Sequence, residues 1–99
     1  MTYEDVIFQQ KLSYLRRVLN IYVKFLKYYS EVDIEVLGNV KNDKFIPRII
    51  EVTYHGSKNE GYPFQRIEFP VEHLGKRIAH YKNKMKRAFL NRHNNPNWR

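Results

Sequence analysis

From Thr2 to Ser30 the chain has no glycine and no proline, and its apolar residues recur at helical spacing. At about 100° per residue, Ile7, Phe8, Leu12, Tyr14, Leu15, Val18, Leu19, Ile21, Tyr22, Phe25, Leu26 and Tyr29 share one half of the wheel. Gln9, Ser13, Arg16, Arg17, Asn20, Lys24 and Lys27 share the other. This is the pattern of a strongly amphipathic helix. Thr2 is a good cap, and Glu4 and Asp5 sit where the helix dipole favours negative charge. The pattern predicts one helix over residues 3–30. Its apolar arc is wider than a coiled-coil seam needs. It therefore requires a sheet beneath it, with a second element or a second copy of the chain beside it, so a homodimer through this helix is one expectation.

The period then changes from helical to alternating. Val32, Ile34 and Val36 alternate with Asp33 and Glu35, as a half-buried strand does. Gly38-Asn39 and Lys41-Asn42-Asp43 supply turn residues. Phe45 to Tyr54 is rich in β-branched and aromatic residues, with Pro47 near its start, as at an edge strand or a strand entrance. Residues 55–61 read as a hairpin loop, flanked by Tyr54 and Tyr62 as a cross-strand aromatic pair or as braces of a contact loop. Tyr62 to Phe69 is a third strand, and Pro70 favours the first turn of a helix. Leu74, Ile78, Tyr81, Met85, Ala88 and Phe89 then form a narrow apolar stripe, predicting a helix from Val71 or later to about Arg92. Gly75 disfavours helix and moves its expected regular start to Lys76.

The order is α-β-β-β-α. The simplest architecture is a two-layer α+β sandwich, with a three-stranded antiparallel sheet and both helices on one face. Residues 1–93 form the single expected domain, and residues 94–99 a polar tail. Trp98, the single tryptophan, sits in that tail, where it either frays or docks on a base or partner.

Charge changes this picture. The chain of 99 residues has 18 Lys+Arg, 10 Asp+Glu and no cysteine, with a formal net charge of +8. Residues 1–72 contain ten basic and ten acidic residues, so the whole excess lies in residues 73–99. Lys76, Arg77, Lys82, Lys84, Lys86, Arg87, Arg92 and Arg99 meet no carboxylate there. Such asymmetry points to a polyanionic partner. Disulfides, thiolate metal sites and a Cys nucleophile are excluded, and no apolar run is long enough to span a membrane. The acidic N-terminus lacks the basic start of a signal peptide. A small, soluble, cytoplasmic domain is expected.

Two candidate sites follow. On the last helix, Lys76, Arg77, His80, Lys84, Arg87 and Asn91 lie opposite the apolar stripe, with Lys82 and Lys86 on another flank. The 3-4-3-4 spacing from Arg77 lines these side chains along one edge, and a phosphate backbone takes such a row through counterion release. Solvated helix faces usually mix signs; this one repels itself unless a polyanion covers it. Arg16, Arg17, Lys24 and Lys27 add a second basic stripe, which borders the same groove if the helices lie side by side. Arg92 extends the first. The second candidate is the outer sheet face, where alternation places Asp33, Glu35, Glu51 and Glu68. Hard oxygen ligands of this kind suit a divalent metal and a small metal-dependent nuclease. Ordinary polar-out alternation, partly neutralised by Arg66, is the better account of them. Glu51 is followed by Val52 and Thr53, so no restriction-type Glu-x-Lys pattern is present.

His73, His80 and His93 have neither the spacing of a zinc pair nor a nucleophile partner motif, and none of the four glycines builds a phosphate loop. No cofactor is implied. The expected function is non-enzymatic: a nucleic-acid-binding protein, for RNA or DNA, contacting phosphates through its C-terminal helix with little sequence specificity. An acidic protein surface is the alternative recipient. The richness in Lys, Asn, Tyr and Ile also suits a phage- or mobile-element-type inhibitor or adaptor, in the manner of an anti-CRISPR, that binds a host or defence nucleoprotein.

The element order resembles that of the double-stranded-RNA-binding domain. Lys76-Arg77-Ile78-Ala79-His80 is similar in type and place to that family's Lys-Lys-x-Ala-Lys run, which contacts phosphates at the start of its second helix. Asn83 and Lys84 stand where the family has small residues, the first helix is longer, and the loop after the first strand lacks the family's Pro and His. The resemblance implies the fold and does not carry the function.

Overall fold

Thr2 and Asp5 open the first helix with a reciprocal cap. The Asp5 backbone N–H donates to the Thr2 hydroxyl and the Thr2 N–H donates to the Asp5 carboxylate, each at 3.2 Å. The Thr2 backbone N–H, and after it the Thr2 hydroxyl, hold the Asp5 carboxyl below its ordinary range, and the nearby Lys44 ammonium adds to them. In the computed structural model of the chain, residues 2–26, 29–56 and 65–94 are described, residues 92–94 by backbone alone. The element order is α1 (Tyr3–Val23), β1 (Tyr29–Lys41), β2 (Lys44–Gly56), β3 (Gln65–Pro70), a 3-10 turn (Val71–His73) and α2 (Leu74–Asn94). The fold is α+β, in the expected α-β-β-β-α order, with β2 central in an antiparallel sheet.

Helix α1 stops at Val23, about two turns before the expected Ser30. Lys24, Phe25 and Leu26 donate to the carbonyls three residues back, a tightening that closes the helix. The cause lies in the sheet. β2 continues to Gly56, and Tyr29 and Glu31 pair with Gly56 and His55. Cross-strand pairing thus takes residues that helical periodicity also suits, as tertiary contact regularly does. Lys27 and Tyr28 lie outside the described residues.

The β1–β2 turn is narrower than the two turn clusters suggest. Asn42 and Asp43 alone form it, with φ of 52° and 59°. Two consecutive left-handed residues match the twist of a two-residue hairpin, and Asn and Asp tolerate them well. Gly38-Asn39 is no turn: both residues stay in β1, opposite Pro47 and Ile46, beyond a bulge between Leu37 and Gly38. A Cβ at Gly38 would sit 2.0 Å from the Ile46 carbonyl oxygen. Gly38→Ala must therefore push the ribbon's backbone apart, and a loss of about 1–3 kcal/mol is expected. Urea unfolding checks this; an unchanged midpoint would show that the strands separate without cost.

Pro47 lies in the central strand, but β3 pairs only with Ile49–Tyr54. At Pro47, therefore, β2 has a neighbour on one side only, which is where a strand tolerates proline. Pro70 closes β3 opposite Ile49 instead of opening a helix, and it caps the 3-10 turn. Helix α2 begins at Leu74, two residues before the expected Lys76, because Leu74 is buried in the core and Gly75 falls in the tolerant first turn. It runs through Asn94, which the sequence assigned to the tail. Tyr62–Phe64 and residues 95–99, Trp98 included, lie outside the described residues.

One core joins both layers. Leu12, Leu15, Val18, Leu19 and Val23 of α1 meet Ile50, Val52 and Tyr54 of β2, Phe69 of β3, and Leu74 and Tyr81 of α2. Tyr54 lies against Tyr29, with ring centroids 5.6 Å apart. Burial, with the phenols of Tyr81 and Tyr22 nearby, pushes the Tyr54 hydroxyl far above its ordinary pKa. The two helices run parallel: Tyr3–Lys11 flank Val71–Gly75, Tyr14 meets Lys82, and Phe25 meets Phe89.

Candidate nucleic-acid interface

The exposed side of α2 from Lys76 to Arg87 carries four cations and no carboxylate. Leu74, Ile78, Tyr81 and Met85 turn toward the core, and this fixes the rotation of the helix. Lys76, His80, Lys84, Arg87 and Asn91 are consequently exposed, and Arg77 is half-buried. The Arg77 guanidinium lies 5.2 Å from the Phe69 ring centroid, over the last residues of β3. That cation–π contact positions the guanidinium at the β3 flank of α2. His80 meets the edge of the Tyr81 ring, with centroids 5.3 Å apart. Partial loss of water, then the charges of Lys84, Arg77 and Arg87, hold His80 below its ordinary pKa. These four groups therefore sense one another electrostatically, as the 77-80-84-87 spacing requires.

No protein-family model, curated protein or solved structure matches this chain. Its reading therefore rests on the chemistry of its own side chains.

The second basic stripe divides. Arg17 turns toward α2, where its guanidinium lies 5.9 Å from the Tyr14 ring centroid; the Lys82 ammonium lies 5.5 Å from the same ring. Tyr14 is thus the junction of the two helices' cations. Arg16 turns the other way and, with Asn20, lines a depression against Val32, Asp33 and Ile34 of β1. Lys24 is exposed at the C-cap of α1. Lys27 and the side chain of Arg92 lie outside the described residues. The helices do lie side by side, but the expected common groove takes a different form. Arg17 shares the Tyr14 ring with Lys82, on the flank of α2 away from the Arg77–Arg87 edge. Lys82 and Tyr14 are the residues that sequence reasoning left out of the site.

The outer sheet face carries the opposite charge. The register sets Glu35, Glu51 and Glu68 directly across neighbouring strands. Arg66 Nε lies 3.5 Å from Glu51 Oε1, and His55 Nε2 lies 2.7 Å from Asp33 Oδ2. Among the described residues no group of three or more His, Cys, Asp or Glu is arranged to hold a metal ion. Like charges directly opposite are unfavourable, and this face repels phosphate. The molecule therefore has a cationic helical side and an acidic sheet side. Among the described residues, no helix is long and apolar enough to cross a membrane.

Proposed function

We propose that this chain is a nucleic-acid-binding domain that grips the phosphate backbone with the Arg77–His80–Lys84–Arg87 edge of α2. The observation that carries the reading is a row of cations, Lys76, Arg77, Lys84 and Arg87 with His80 among them, on one helix that has no carboxylate to neutralise it. Lys76 stands at the start of the row, and Lys82 and Arg17 extend the positive surface toward α1. The opposed acidic sheet face supports the same orientation, because it leaves one side of the molecule for an anion. Side chains that meet phosphates carry little sequence information, so affinity depends on salt far more than on base order.

A titration of labelled RNA and DNA duplexes by fluorescence anisotropy tests this directly. If about five phosphates are contacted, the slope of log affinity against log salt is expected near −4.5 on B-form DNA. Scrambling the sequence is expected to leave affinity unchanged within a few-fold. Absence of binding to either duplex at 50 mM salt, a condition in which such contacts are strong, would remove the proposal.

A further inference from the structure

Between the C-terminal halves of α1 and α2 lies a cleft of about 410 Å³, lined by Ile21 of α1, Phe25 of the turn that closes α1, and Met85, Lys86, Phe89 and Leu90 of α2. Its apolar walls reach solvent: Ile21 is 47% exposed, Phe89 55% and Leu90 54%. Phe25 and Phe89 meet edge to face across it, with centroids 6.1 Å apart. Met85 and Phe89, four residues apart, form a ridge along α2, and Ile21 with Phe25 of the turn after α1 forms the facing wall, with a trough between them. A third helix fills such a trough with apolar anchors spaced three and four residues apart. Met and Phe also adapt their shape to an incoming side chain.

The surrounding charge selects the occupant. From residue 6 to 26 and from residue 73 to 94 there is no carboxylate. Lys86 belongs to the wall, Lys24 is adjacent in sequence to Phe25, and Arg17 and Lys82 meet at Tyr14 on the way up the interhelical seam. We infer that this cleft is a docking groove for an acidic amphipathic helix of a partner protein. Its apolar face would seat on Ile21, Phe25, Phe89 and Leu90, and its carboxylates would meet Lys24, Lys82 and Lys86. A second copy of the chain is a poor occupant. A two-fold contact faces this patch with its own duplicate, so both sides bring lysines and neither brings a carboxylate. Nucleic acid is a poor occupant too, because the lining offers carbon where phosphate needs cations and donors. The inference does not depend on the phosphate edge, which lies on the other flank of α2.

The probe is a labelled helix-forming peptide of about 15–20 residues, with leucines at i, i+4 and i+7 and glutamates flanking them. Its partner probe carries lysine at every glutamate. The full-length chain is expected to bind the glutamate peptide at least about ten-fold more tightly than the lysine peptide. The double substitution Phe89→Ser and Leu90→Ser is expected to weaken that binding about ten-fold or more, with an unchanged circular dichroism spectrum and duplex affinity within about two-fold. Ile21→Ser, on the other wall, is expected to act in the same direction. Equal affinity for both peptides, or none for either, overturns the inference. So does a concentration-dependent dimer that the double substitution dissolves, because a second copy then fills the groove. A loss of duplex binding in the double variant overturns it as well, whereas failure of the duplex titration alone leaves it standing.

Discussion

Reversing two charges on α2, Lys84→Glu with Arg87→Glu, is expected to weaken nucleic-acid binding on the order of 100-fold at 100 mM salt. Both side chains are exposed, on a helix pinned by buried Leu74 and Tyr81. The substitutions therefore change charge without opening the core. Two lost phosphate contacts should also make the salt slope about two units shallower. That second number matters, because a merely destabilised protein would lose active fraction without changing its slope. His80 supplies an internal readout. Lys84 and Arg87 help to hold its pKa down. With carboxylates in their places, protonated His80 becomes more favourable, so its NMR titration midpoint moves up. Lys24→Glu, at the far end of α1, is the comparison. Equal losses from Lys24→Glu and from either α2 substitution would place the phosphate contact elsewhere.

The cationic edge of α2 is more legible in the sequence than the element boundaries are. The acid-free run after residue 72 and the spacing 77-80-84-87 are properties of the chain itself, and helical geometry turns them into an edge without further information. Arg16 and Arg17 show the limit. They differ by about 100° on a helix, and a wheel places both on the polar half. Only the packing of α2 on one flank of α1 and of β1 on the other sets Arg17 at the Tyr14 ring that Lys82 also meets, and Arg16 at β1. A signal was nevertheless available. With short connections, each successive element reverses direction, so four reversals leave α1 and α2 parallel. Tyr14, near the middle of α1, then aligns with the middle of α2, near Lys82.

The element boundaries failed for a related reason. Residues 24–30 continue the helical pattern of α1, but Tyr29 and Ser30 also suit a strand, and the length of β2 decides between them. Gly38 reads as a turn because glycine usually marks one. In the sheet it answers a different need, the close approach of Ile46 across a bulge. Pro70 behaves similarly: its φ suits a helix start, yet Ile49 recruits it to the end of β3. In each case a contact distant in sequence chose between two locally acceptable conformations.

Leu15→Ala is expected to carry the larger stability cost, about 3–4 kcal/mol. Leu15 is fully buried on α1, in the same cluster as Leu19, Ile50 and Val52, all of them at 0% exposure. Removing it leaves a cavity between the helical layer and β2, and the surrounding side chains are too closely packed to collapse into it. A domain of this size has total stability on the order of 5–15 kcal/mol, so the variant retains only part of its margin. At about 4–8 °C per kcal/mol for such a domain, the melting temperature should fall by roughly 12–30 °C. Ile21→Ala removes a comparable side chain from the same apolar arc of the sequence, yet Ile21 is 47% exposed. Half its surface already meets water, so its loss is expected to cost under about 1 kcal/mol. The pair measures what the wheel could not, namely which part of the α1 arc the sheet covers and which part borders the open cleft. Thermal or urea unfolding of the two variants gives the result. Equal destabilisation would mean that the buried face of α1 is turned toward Ile21.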